Sequence, residues 1–310
     1  MSKDNSDKES EGASSAQSSE DLTSKTASRL GQDTLAALVR LGELERHEQV
    51  SSIASESHPE VNEDSFLVDH HHHFYGVFDG VGKYDGAALA SATARDYFEN
   101  LADAPVRDSL EGWTQHYKLL FQGANNAILD LDEGKNEEEK RASTAVIAKV
   151  HEIRGTLYAS IAHYGDSRAY LLRSGELITL TIDHSGYRRA NGTPKAQILQ
   201  EKFDEVTDRQ SLTPEDDAEF RRRHVISGYL GKTEETRPDI QHVPVMTGDV
   251  LILTSDGVHD NLTRTEMQEV AITSNPAKLA EALTRASLRR SHMVHDRRKA
   301  DDMTAVVVPI

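Results

Sequence analysis

The chain has 310 residues, 37% hydrophobic and 28% charged, with a formal net charge of −17 and no cysteine. A field of that sign argues against nucleic acid or an anionic membrane as a general partner, and the missing thiols exclude disulfides, thiolate zinc sites and cysteine nucleophiles. No apolar run approaches the ~18 residues of a spanning helix, and the polar start MSKDNSDKES lacks a secretion-signal core, so a cytoplasmic protein is expected.

Residues 1–32 read as a disordered Ser-rich tail. Nine serines fall in the first 30 positions among almost no large apolar side chains, too little to offset the entropy of ordering. A single catalytic domain is expected over 33–310. Asp33 is placed to cap a helix through DTLAALVRLGELERH, where Leu35, Leu38, Val39 and Leu41 share a face. Two β-prone runs follow, EDSFLVD (63–69) and FYGVFDG (74–80), separated by His70–His73. The histidines read as an exposed turn with incidental affinity for transition metals. GAALASATARDYFENL carries Ala90, Ala94, Tyr97, Phe98 and Leu101 at helical spacing, and a second helix over 108–131 runs into the charged stretch DEGKNEEEKR.

The middle is strand-rich: STAVIAKVHEI, RGTLYASIAHY, SRAYLLRSG and ELITLTI are short β-prone runs divided by turn signals. Residues 185–224, polar and broken by Gly and Pro, read as an insertion or flap. DVLILTSDG (249–257) is a buried strand meeting an Asp-Gly pair, helices follow near 264–273 and 276–292, and DDMTAVVVPI closes the chain as a strand. Strands in succession with helices between groups suggest a layered α+β fold with mostly antiparallel sheets.

The aspartates at the strand ends carry the chemistry. If the first two runs form a hairpin, its centre falls between His71 and His72, and Asp64 and Asp79 stand opposite each other, Cβ atoms ~5 Å apart. Like charges in that position destabilise a sheet unless something positive lies between them. Asp256 ends another apolar strand and Asp301 precedes the last. Any one of these alone reads as a turn or cap residue. Four at corresponding strand ends suggest a hard, all-oxygen cation site suited to Mg²⁺ or Mn²⁺.

NED (62–64), GVFDGVG (76–82), STA (143–145), GDSRAYLLRSGEL (165–177), DHS (183–185), TSDGVHD (254–260) and DDMT (301–304) stand in the order of the motifs of the metal-dependent Ser/Thr protein phosphatases of type 2C, in their bacterial version. The chain resembles that family from about residue 50 to its end. The resemblance implies two antiparallel β-sheets sandwiched between helical layers. It implies hydrolysis of phosphoserine and phosphothreonine in proteins by water activated between two divalent ions, without a phosphoenzyme. Asp64, Asp79, Asp256 and Asp301 match the acids of the two-metal centre, with Asp79 expected to bridge and the Gly80 carbonyl as a further contact. Asp166 and Asp260 match a third metal position, and Glu63 an acid beside the centre. Phosphoprotein substrates and a Ser/Thr kinase as counterpart are family expectations. The absence of a coiled-coil or apolar-stripe signal leaves a monomer as the default.

The chain departs from the family pattern in two places. Pro59 stands where many members carry a phosphate-gripping Arg, removing a bidentate contact. Lys83 could supply charge in its place; the basic stretch Arg297–Lys299 is another candidate attractor, though it reads first as solvated surface. Val81 stands where eukaryotic members carry a proposed general-acid His, leaving His259 as a substitute candidate. A nucleotide-binding loop fits poorly, because the opening segment gives G-x-G-x-x-D. A phosphatase-like module that binds phosphoproteins with weak or no catalysis is the alternative that the missing Arg raises.

Overall fold

The first hairpin is built on a strand buried on both faces, with Phe74, Tyr75, Val77 and Phe78 all inside. The computed structural model describes residues 48–82, 85–102, 109–132 and 140–310; the Ser-rich tail, the helix expected from Asp33, Lys83 and most of the charged run after Leu131 lie outside these. β2 (Asp64–Asp69) and β3 (Phe74–Val81) pair antiparallel with Asp64 opposite Asp79 and Asp69 opposite Phe74. His70–His73 form the connecting turn, with His70 bonded to Glu48 and His72 to Asp69. β1 (Gln49–Ile53) precedes the hairpin, and β4 (Ala142–Ser143), β5 (Ala145–Ile153), β6 (Thr156–Tyr164), β7 (Arg168–Arg173), β8 (Glu176–Thr179), β9 (Asp239–Pro244), β10 (Val250–Thr254) and β11 (Met303–Pro309) follow it.

These strands make two sheets, β1-β11-β10-β7-β8 and β2-β3-β5-β6-β9, with β4 added to the end of β3. All their pairings are antiparallel. Alternate residues of β3, β5 and β6, such as Tyr75, Val77, Val146 and Ile161, pack face to face against Leu171, Leu251, Leu253 and Val306 of the other sheet. Each large side chain so buried contributes roughly 1.5–3 kcal/mol relative to exposure.

Helices cover both outer faces. α1 (Asp85–Asn100) and α2 (Leu110–Leu131) lay Ala90, Ala94, Phe98, Trp113, Tyr117 and Phe121 over the first sheet's outer side. Ser109 starts α2 by accepting from the Gly112 N–H at 3.1 Å. Over the other sheet, α7 (Arg264–Thr273) and α8 (Leu279–Ser291) bury Met267, Leu279 and Leu283. Thr263 and Glu266 close a capping box at the start of α7. The two antiparallel sheets between helical layers match the architecture the sequence implies. The segment 185–224 is more ordered than a polar insertion suggests. It holds α3 (Gly186–Asn191), α4 (Thr193–Phe203) and α5 (Pro214–Phe220), closed around Tyr187, Phe203 and Phe220.

Candidate metal centre

Two sheet ends converge on a set of aspartates. Asp64 opens β2 and is buried, and Asp79 faces it across the hairpin near the end of β3. The next residue must be glycine: a Cβ on Gly80 would fall 2.3 Å from the Ala87 carbonyl oxygen and 2.7 Å from that of Glu63. This contact presses the β3 end against the start of α1 and fixes the direction of the Asp79–Gly80 corner. Thr144 holds the same corner from the other side, accepting from the Asp79 N–H at 3.1 Å and donating its own N–H to the Asp79 carbonyl at 2.8 Å.

From the second sheet, β10 ends at Thr254 and turns at Ser255 into α6 (Asp256–His259). Here too glycine is required, because a Cβ on Gly257 would fall 1.9 Å from the Asp302 carbonyl oxygen. The Ser255 hydroxyl donates to Asp64 Oδ2 at 2.7 Å and accepts from the Thr304 N–H at 3.0 Å. It thus ties the acid of one sheet to the last strand of the other.

The electrostatics are those of acids held too close. Burial pushes the Asp79 carboxyl well above its ordinary range, and the charges of Asp64, Asp256 and Asp301 push it further. Asp64 is raised mainly by burial, with Asp302 and Asp301 adding to it. Asp166 is raised by burial and then by Asp256 and Asp183. Asp256 is raised by burial against the opposing pull of Lys299, up to about 6. One oxygen each of Asp64 and Asp256, Oδ1 in both, is buried with no hydrogen-bond partner. Such groups cost free energy unless something positive reaches them. A hard divalent cation fits this donor set: all carboxylate oxygen, with two buried oxygens unsatisfied.

Lys299 is the cation that the structure places among them. Its partly buried side chain contacts Asp256 Oδ2, with Nζ 2.8 Å from Asp301 Oδ2 and 3.4 Å from Asp260 Oδ2. Burial alone would lower its pKa, but the three carboxylates hold it well above the usual value. Arg297 and Lys299 are therefore not solvated surface, while Arg298 between them is exposed. Arg297 is buried, donating to the carbonyls of Phe203, Val206 and His259.

Asp260, the second acid of the TSDGVHD motif, is pulled well below its ordinary range. Burial would raise it, but the charges of His224, Lys299 and Arg223 outweigh that. His224 Nδ1 lies 2.7 Å from its Oδ2, so the end of the 185–224 segment rests on this acid.

The remaining expected residues fall in different places. The Glu63 carboxyl is half-buried and raised, first by burial and then by Asp302 and Asp301. Glu63 also bonds through its backbone, donating its N–H to Asp302 at 2.5 Å and accepting from Gly80 at 3.1 Å. Pro59 lies exposed in the loop before β2 and Val81 pairs with Ala142, so neither supplies a polar group. His259 is turned into the protein. It is 2% exposed, its Nδ1 is bonded to Thr254 Oγ1 at 3.0 Å, and burial, followed by Arg168, keeps its pKa well below the usual value.

Sequence reasoning missed Ser255, Thr144, Lys299 and His224. Ser255 and Thr144 sit inside quoted motifs, so position beside an acid was a usable signal. Nothing local marks His224, whose contact with Asp260 spans 36 residues, and Lys299 neighbours Asp301 in sequence but reaches Asp256 across 43 residues. The motif residues Arg168 and Asp183 prove to be scaffold: Arg168 is buried, paired with Asp183 at 2.7 Å and with Asp204 at 2.9 Å.

The family model described as Protein phosphatase 2C matches residues 40–190, and that described as Stage II sporulation protein E matches 212–310. Among curated proteins, the chain is 27% identical over 198 residues to the serine/threonine phosphatase stp of Listeria monocytogenes, covering 63% of this chain and 69% of that one. It is 26% identical over 211 residues to protein phosphatase PhpP of Streptococcus pneumoniae, covering 67% and 76%. Among solved structures, the Mycobacterium tuberculosis serine/threonine phosphatase PstP/Ppp superposes with a TM-score of 0.65 at 23% identity, over 85% of this chain and 98% of that one. A PstP catalytic domain in complex with 2 manganese ions gives 0.63 at 23% identity, over 85% and 97%.

Proposed function

We propose that the chain is a type 2C protein-serine/threonine phosphatase, the reading that the family match over 40–190 and the phosphatase relatives support, and that its chemistry is metal-dependent and runs at the converging aspartates. Asp64, Asp79, Asp256 and Asp301, with the Gly80 carbonyl, would hold two divalent cations, Mg²⁺ or Mn²⁺. Asp166 and Asp260 would hold a third. Bound there, such cations supply an acidified water as nucleophile and neutralise charge on the phosphoryl oxygens. The observation that carries this reading is the pair of buried oxygens, Asp64 Oδ1 and Asp256 Oδ1, with no hydrogen-bond partner among the described residues, on acids raised first by burial and then by neighbouring carboxylates.

The chain's own residues set the geometry. Ser255 occupies one oxygen of Asp64 and leaves the other for a cation. Thr144 and the crowded Gly80 keep the Asp79–Gly80 corner rigid. The Lys299 ammonium stands in for one unit of the positive charge the acids require, and would have to give way to a divalent ion held by Asp256 and Asp301. The proposed substrates are phosphoserine and phosphothreonine proteins in the cytoplasm, phosphorylated by a Ser/Thr kinase, with the phosphatase acting as a monomer. Among the described residues no helix is long and apolar enough to cross a membrane.

The test is phosphate release from a phosphothreonine peptide and from p-nitrophenyl phosphate, with Mn²⁺, Mg²⁺ or chelator. Activity is expected to vanish with chelator and to fall at least ~100-fold in Asp79→Asn and Asp256→Asn. Full Mn²⁺-dependent activity in either variant would overturn the reading.

A further inference from the structure

The acid edge has a neighbour of opposite sign. β4 pairs with the end of β3, Gly80 opposite Ser143 and Val81 opposite Ala142. Its other side is joined to Leu230 by two backbone hydrogen bonds with Ser143, 3.2 and 2.8 Å long. Beyond this ridge, Lys140 and the segments 188–193 and 227–237 enclose an open cleft of about 790 Å³. Among the described residues, Lys140, Arg188, Arg189, Lys232 and Arg237 line it with two carboxylates, Glu234 and Glu235, on a chain whose net charge is −17.

The cations divide by what holds them. Arg188 is fixed in the wall by Asp239, at 2.8 and 3.2 Å, and by the Ile182 carbonyl at 2.7 Å. Lys232 donates to the Ser227 carbonyl at 2.9 Å and lies over the Tyr229 ring, with Glu234 no nearer than 3.7 Å. Arg237 pairs with Glu235 where both side chains are more than 70% exposed, a pair that contributes little and exchanges readily for another carboxylate. Arg189 is exposed and has no carboxylate partner among the described residues. The cleft therefore offers aimed positive charge, part of it rigid and part of it free to be re-paired.

We propose that this cleft seats an acidic stretch of the phosphoprotein substrate, flanking the phosphorylated residue, while the phosphate itself lies across the β3–β4 corner at the aspartates. The inference rests on the catalytic reading above and adds the substrate class. The cleft and the aspartates are separated by the pairing of β3, β4 and Leu230, so one extended peptide crossing that ridge would reach both. A separate seat also explains how a chain with Pro59 in place of a phosphate-gripping residue retains hold of its substrate. The affinity lies in the flank.

The test compares two phosphothreonine peptides, one flanked by glutamates and one by alanines, in Mn²⁺. The quantity read is the ratio of their kcat/KM values. In the wild type it is expected to favour the glutamate peptide on the order of tenfold, mainly through KM, since several exposed contacts of modest size act together. In Arg189→Glu combined with Lys232→Glu the ratio falls to about one or inverts; Arg189→Glu alone, at an exposed site, gives a partial loss if the pair disturbs folding. Equal ratios in wild type and variants would overturn the proposal. A second arm needs no catalysis: fluorescence anisotropy of an unphosphorylated glutamate-rich peptide with the full chain in chelator. Binding that these substitutions abolish supports the cleft even if hydrolysis of p-nitrophenyl phosphate were absent, an outcome that would count against the catalytic reading alone. An oligonucleotide binding the wild type as tightly as the acidic peptide would assign the cleft to another ligand and overturn the proposal.

Discussion

The acid edge and the basic cleft lie on either side of the two-residue strand β4, and they handle charge in opposite ways. At the edge, like charges are buried: Asp64, Asp166 and Asp256 are each less than a tenth exposed. Their repulsion is unscreened, and one tethered ammonium, Lys299, answers part of it. In the cleft, like charges are open to water, where each costs little and attracts weakly over about a Debye length, ~8 Å at physiological salt. Burial makes the first region a place that demands a cation. Exposure makes the second a place that sorts anionic partners without committing stability to it. The buried triad of Arg168, Asp183 and Asp204 shows the third possibility, in which a buried cation and its acids satisfy one another.

Removing the tethered cation should have the largest effect. Lys299→Met is expected to bind Mn²⁺ roughly tenfold tighter or more in calorimetry, the scale on which close charge pairs couple. Weaker binding would mean that Lys299 assists the metal rather than competing with it.

Next in size is a pH dependence confined to the edge. Asp256 is raised from 3.8 to about 6, so between those values the folded chain keeps a proton that the unfolded chain has lost. Its contribution to the stability of the metal-free protein is present at low pH and is lost as pH rises through about 6. Denaturation in chelator should therefore show Asp256→Asn gaining on the wild type from pH 5 to 7.5, by about 1.4 kcal/mol. A gap that stays flat or narrows would mean the carboxyl is already ionised at pH 5.

The smallest effect belongs to the cleft. The preference for the acid-flanked peptide should fall about two- to threefold between 50 and 500 mM salt, as screening acts on exposed charges. A salt-independent preference would point to contacts other than charge.

Much of the edge was legible in the sequence because it depends on periodicity. The runs 63–69 and 74–80 have equal length about the histidine turn, so the register that sets Asp64 opposite Asp79 could be read by counting. The helices over 85–100 and 110–131 followed from apolar spacing, and the sandwich from the order of strands and helices. β1 and β9 were not legible. QVSSI and DIQHVP are half-buried strands with two apolar residues each besides proline, too few for an alternation signal. The 185–224 segment hid its order because Tyr187, Phe203 and Phe220 sit on three separate short helices, where no single window shows a face. The cleft was invisible for a related reason. Arg188 and Arg189 come from one segment and Lys232 and Arg237 from another, and only the fold joins them.

The central claim is that the aspartates of two sheets form one bed for divalent cations. Mn²⁺ titrated calorimetrically into chelator-treated, dialysed protein tests it most directly. The account predicts saturable binding of at least two ions, with at least one lost in Asp79→Asn, whose carboxylate faces Asp64 and feels Asp256 and Asp301. Unchanged stoichiometry and affinity in that variant, or no binding by the wild type, would contradict it.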